Sequence, residues 1–162
     1  MSLQNKNDRL LGWSPLFIRI ALGIVFLVAG IGKVFAVGPK ATGMAGFAGF
    51  LASLSVPMPT LFAWLVGLLE LVGGLLLLVG LFTRYAAVLL AIDMLVATWL
   101  VHLPSGFAVG NGGYEYTLVL ALVSIALVFS GPGRLALEYA IFDHELLPGN
   151  RSRSEPAGEV DA

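Results

Sequence analysis

An all-α fold, a four-helix transmembrane bundle with an amphipathic or re-entrant segment between its first and second helices, is the class this sequence predicts. Three observations predict it. The 162-residue chain is 58% hydrophobic and only 12% charged, with a mean hydropathy of +0.92, outside the range of soluble globular domains. Residues 61–82, LFAWLVGLLELVGGLLLLVGLF, carry a single charge, Glu70; as a helix they run about 33 Å, enough for a hydrocarbon core of roughly 30 Å. Apolar runs of similar character cover residues 16–37, 84–103 and 114–130, separated by polar or glycine-rich breaks.

Each element follows in order. Residues 1–15 are a polar lead with Lys6, Asp8, Arg9 and the interface-favouring Trp13. The first span, 16–37, follows basic residues as a signal peptide would, but it is too long for a signal core and carries Arg19 and Lys33, so it reads as a helix. Residues 38–60 hold Gly43, Gly46 and Gly49 among Phe47, Phe50 and Leu51 and end at Pro57 and Pro59, which suits an interfacial or re-entrant helical segment. After the second span, Gly80 as C-cap and Thr83 as N-cap leave so short a connection that the second and third helices must be antiparallel neighbours.

The third span, 84–103, has Asp93 near its centre and His102 at its end. A glycine-rich loop leads to Tyr114 and Glu115, which open the fourth span, 114–130; Gly131-Pro132-Gly133 stops it. A short amphipathic surface helix is expected over 134–147, and residues 139–162 form a polar tail with the composition of disordered sequence. The membrane domain thus covers 16–138. Lys6, Arg9, Arg19, Arg84, Arg134, Arg151 and Arg153 fall on one side of this topology, against Lys33 and Lys40 on the other, so both termini are expected in the cytoplasm of a plasma-membrane protein.

Several chemistries are excluded by what the chain lacks. With no cysteine it forms no disulfide, thiolate-ligated iron-sulfur cluster or dithiol redox couple. Of two histidines, His144 lies in the tail, so no haem can be held by two intramembrane histidines of one chain. There is no metal-site, P-loop or dinucleotide motif, and a net charge of −1 gives no basic surface for nucleic acid.

The candidate chemistry lies in the intramembrane charges. A carboxylate at mid-bilayer needs a partner, a proton or a water-filled cavity, which makes Glu70 the first candidate. On the first helix Arg19, Gly23, Phe26, Gly30 and Lys33 share one face, and on the second Ala63, Gly67, Glu70 and Gly74 do the same. Small residues allow close approach, so these faces are expected to pack together with their charges inward. Lys33 lies a turn or less below the outer surface and Glu70 about 13 Å below it, counting nine residues at about 1.5 Å each, and a lysine stem covers much of the gap between them. A Lys33–Glu70 pair is the sharp reading; Lys33 snorkelling outward beside a protonated Glu70 is the bland one.

Asp93 is the second carboxylate, facing either the pocket or Arg19 and Arg84. Arg19, Asp93, Tyr114 and Glu115 are taken as pocket lining. His102, nine residues beyond Asp93 and so on the opposite face of an ideal helix, reads as a helix-dipole histidine.

The succession Arg19, Gly30-Ile31-Gly32-Lys33, Glu70-Leu71-Val72-Gly73-Gly74-Leu75, Gly80-Leu81-Phe82-Thr83-Arg84, Tyr114-Glu115 and Gly131-Pro132-Gly133-Arg134 resembles the DoxX family of small four-helix membrane proteins. Where that family commonly ends its motif with an aromatic residue and an aspartate, this chain has Leu135-Ala136-Leu137-Glu138. The resemblance implies a membrane component of a redox system of the thiosulfate:quinone oxidoreductase kind, with a quinone in the bundle, Glu70 and Lys33 managing its protons, and soluble or membrane redox subunits as partners. The competing classes are a small-solute or proton carrier and a scaffold for soluble partners. The lipid bilayer and a second copy of the chain complete the expected contacts.

Overall fold

The computed structural model describes residues 12–142. The start of the polar lead, the tail beyond 142 and His144 within it lie outside the described residues. Among those described there are no strands; the helices are α1 (Ser14–Phe35), α2 (Gly43–Ser53), α3 (Pro59–Val79), α4 (Thr83–Ala97), α5 (Glu115–Ser130) and α6 (Leu137–Phe142). Pro15 and Pro59 sit in the first turns of α1 and α3, where a missing N–H costs nothing. α4 runs on through a π turn, Thr98–His102, and a 3-10 turn, Leu103–Ser105.

The helices form a closed ring in which α1 packs on α3, α3 on α4, α4 on α5 and α5 back on α1, while α2 lies outside against α1 and α3. α1, α3 and the extended α4 (Thr83–Ser105) are long and apolar enough to cross a membrane. α5, with 16 residues, rises only about 24 Å and takes its place as the fourth member antiparallel to α4. Large apolar side chains such as Phe17, Ile24, Leu65, Val72, Ile92, Val119 and Phe129 point outward, while Leu22, Phe26, Leu77, Leu90 and Leu127 fill the interior at 2% exposure or less. Such a surface suits acyl chains rather than water.

Glycine sets how closely α1 and α3 approach. A Cβ on Gly74 would lie 2.5 Å from the Leu27 nitrogen, and one on Gly30 would collide with the backbone of Leu71. This antiparallel register brings Lys33, in the last turn of α1, to within about a turn of Glu70 on α3. Gly74→Leu is therefore expected to lower stability by about 1–3 kcal/mol through forced separation of the helices. Gly46 of α2, where a Cβ meets nothing within 4 Å, is the counter-case: Gly46→Ala is expected to add about 0.5–1 kcal/mol. Thermal unfolding in detergent separates the two, and a Gly74→Leu protein melting with wild type would refute the packing argument.

The turn between α3 and α4 corrects one expectation. Gly80 is the C-cap, at φ 72° with its N–H on the Leu76 carbonyl, but the Thr83 hydroxyl does not cap α4 and is buried without a partner. Instead the carboxylate of Glu138, from α6, accepts a hydrogen bond from Thr83 N at 3.3 Å. A full negative charge serves a helix N-terminus better than a hydroxyl does, and Glu138 N on the Gly80 carbonyl at 3.0 Å fixes it there.

Candidate functional site

At the Lys33 end of the bundle α1, α3, α4 and α5, together with α2, enclose an open-sided cavity of about 370 Å³. Its walls are largely apolar and aromatic, from Phe26, Phe47, Phe50, Met94, Tyr116 and Leu120. Into it project Lys33, Glu70, Asp93, His102 and Thr117, with Lys40 at the rim.

Lys33 Nζ donates to Glu70 Oε2 in a direct ion pair. Glu70 is 4% exposed, and its partner reaches it because Gly67, one turn away on α3, leaves room for the lysine stem. The Lys33 ammonium also stands 5.0 Å from the centre of the Phe47 ring, and that of Lys40 5.5 Å from Tyr116, so aromatic faces share in holding the cations. α2 thereby supplies one wall and a cation-π contact to the pair.

Asp93 faces the same cavity, near enough for its charge to interact with those of Glu70 and Lys33. Its Oδ2 is buried and accepts no hydrogen bond. The alternative arginine partners are committed elsewhere: Arg84 Nη1 donates to the Val128 carbonyl at 2.7 Å and Arg19 to carbonyls at the other end of the bundle. An acid with a spare buried oxygen beside an ion pair has one acceptor more than the protein satisfies.

Arg19, Tyr114 and Glu115 do not line the cavity, contrary to the sequence reading. Arg19, 1% exposed, shares a face with Lys33 but sits fourteen residues, about 21 Å, along the helix. There it donates to Pro132 O at 2.8 Å and Leu135 O at 3.2 Å. Tyr114 packs edge-on against Phe107 at 5.4 Å, and Glu115 Oε2 accepts from Val109 N at 3.1 Å, so both staple the loop after α4. Their neighbours Tyr116 and Thr117 reach the cavity instead, one or two steps of about 100° further round the helix. Thr117 is hydrogen-bonded to Thr98 Oγ1 at 2.7 Å; Tyr116 and Lys40 carried no signal in the sequence that marks them as pocket lining.

His102 also lines the cavity, with Nδ1 2.7 Å from the Gly112 carbonyl. An uninterrupted α-helix would turn it away from Asp93, but the π turn Thr98–His102 holds one extra residue and retards the phase by about 100°. Nothing in the local sequence marks that insertion. Among the described residues no group of acids and histidines could hold a metal ion.

A helical integral membrane protein with an off-centre cavity lined by paired charges is the class these features define. More particularly, the chain belongs to the DoxX family, whose profile matches residues 14–103. It is similar to "Putative oxidoreductase CatD" of Bacillus subtilis, 34% identical over 78% of this chain and 86% of that protein. It is also similar to "Uncharacterized membrane protein Rv3486" of Mycobacterium tuberculosis, 38% identical over 77% and 79%, and to "Inner membrane protein YphA" of Escherichia coli, 30% identical over 76% and 86%. No solved structure matches the chain.

Proposed function

We propose that this DoxX-family protein is the membrane component of a redox system and that its cavity receives the ring of a quinone. The observation that carries the reading is the Lys33–Glu70 pair beside the unsatisfied Asp93 oxygen in one aromatic-walled cavity. Flat aromatic faces suit a ring, the ammonium is a donor for a quinone carbonyl, and the two carboxyl groups can pass protons. Reduction of a quinone to its quinol takes two electrons and two protons. In this reading a soluble or membrane partner delivers the two electrons, while Glu70 and Asp93 each take up a proton from water in the cavity and pass it to a quinone oxygen. The relative named an oxidoreductase is in keeping with this role. The basic-residue bias supports a plasma-membrane orientation with both termini in the cytoplasm, so the cavity would open outward.

The test is saturable binding of a short-chain quinone to purified protein, followed by quenching of its tyrosine and tryptophan fluorescence. Glu70→Gln, which removes the charge partner of Lys33 but keeps the shape, is expected to weaken binding about tenfold, or about 1.4 kcal/mol. Thiosulfate-dependent quinone reduction in membranes holding the chain alone or with co-expressed partners extends the test to turnover. Absence of both binding and reduction would overturn the redox reading in favour of a carrier.

A further inference from the structure

We infer that the cavity communicates with water only at the Lys33 end of the bundle, so that protons used at Glu70 and Asp93 are exchanged with that side of the membrane alone. The proton part rests on the redox reading above; the one-sided access does not.

The polar side chains fall into two groups with a dry layer between them. The upper group descends from Lys40 and His102 at the rim, through Lys33, to Glu70, Asp93 and Thr117. Below it the four helices close on one another. Leu22, Leu77, Ala87, Leu90, Ala121 and Leu127 are each at most 2% exposed and form one continuous apolar cluster. At the same level the backbones of α1 and α3 meet at Gly23 and Gly74. α1 has no polar side chain between Arg19 and Lys33, α3 none between Glu70 and Val79, and α4 none between Tyr85 and Asp93. α5 contributes Ser124 alone, fully buried and with its hydroxyl unpartnered.

From Asp93 to Thr83 the layer is about 15 Å deep. One hydroxyl cannot relay a proton that far, and close-packed leucine and alanine leave no room for a file of water. At the far end Arg19 and Glu138, both at most 2% exposed, are spent on the Pro132 and Leu135 carbonyls and on Thr83 N. That end is therefore a seal rather than a second mouth.

The absence of cysteine makes the inference testable with single introduced thiols. Asp93→Cys and Ala97→Cys place a thiol on the cavity wall and Ser124→Cys one within the dry layer. Ser105→Cys and Leu135→Cys, both exposed, mark the two faces. Each variant is treated with a membrane-impermeant cationic methanethiosulfonate in right-side-out and in inverted vesicles. The cavity thiols should react on the order of tenfold faster from the Ser105→Cys face than from the Leu135→Cys face, and Ser124→Cys from neither.

Ala97→Cys removes no charge, so it keeps the test decisive if Asp93→Cys does not fold. Equal rates from both faces, reaction of Ser124→Cys, or inert cavity thiols on both faces would each overturn the inference. Failure to bind quinone would leave the labelling pattern intact and count against the redox reading only. During quinone reduction, a pH dye on the Ser105 side should register uptake of both protons and a dye on the other side none.

Discussion

Arg19→Ala is expected to destabilise the folded bundle by about 3–5 kcal/mol, the cost of removing one member of a buried charged network. The guanidinium is 1% exposed and holds the Pro132 and Leu135 carbonyls. Its charge lies near that of Glu138, which in turn caps α4 at Thr83. Packing there is so close that a side chain on Gly80 would collide with the guanidinium. Truncation would leave two carbonyls without their donor, remove the positive charge facing a buried carboxylate and open a void the size of the side chain. Arg19→Lys should recover only part of the loss, because a single ammonium does not reproduce the planar fork that reaches both carbonyls. Thermal unfolding in mixed micelles, together with the amount of protein retained in the membrane, checks the prediction. An Arg19→Ala variant that melts with wild type would show the network to be dispensable.

The second large effect belongs to the ion pair in the cavity. Lys33→Met leaves Glu70, 4% exposed, without its ammonium and is expected to cost several kcal/mol, whereas Glu70→Leu leaves a lysine able to extend toward the rim and costs less. The double change should be close to the milder single change, so that the coupling energy in a double-mutant cycle is about the full cost of Lys33→Met, on the order of 3 kcal/mol or more. Exchanging the charges, Lys33→Glu with Glu70→Lys, should be better tolerated than either reversal alone. Quinone binding should weaken most in the variants that carry Lys33→Met, because stability can survive an apolar replacement where a donor for a carbonyl cannot. Additive single effects would mean that the contact contributes nothing as a pair.

What could be read from sequence follows physical range. Helix existence and packing faces depend on residue spacing within one segment, so the long apolar runs and the small-residue faces of α1 and α3 were legible, as was the meeting of Lys33 with Glu70 across them. DoxX membership was legible too, because the ordered motifs are local. Axial position was the weaker guide: Arg19 shares a face with Lys33, yet about 21 Å of helix separates them. The fourth helix was misread by its angular phase, since a polar pair at its start looked like a cavity mouth while Tyr116 and Thr117 face inward. Glu138 as a cap for another helix could not be found from local pattern, because the partner that makes it one lies fifty-five residues away.

The five-residue π turn near the end of α4 makes chain length, more than side-chain chemistry, the variable that aims the imidazole of His102. Losing one residue there would let the coil rewind, swinging the imidazole and the loop that follows by roughly a quarter turn or more toward the acyl chains. A silent insertion point in an otherwise regular rod thus works as an alignment pin, one that no inventory of charged side chains would pick out.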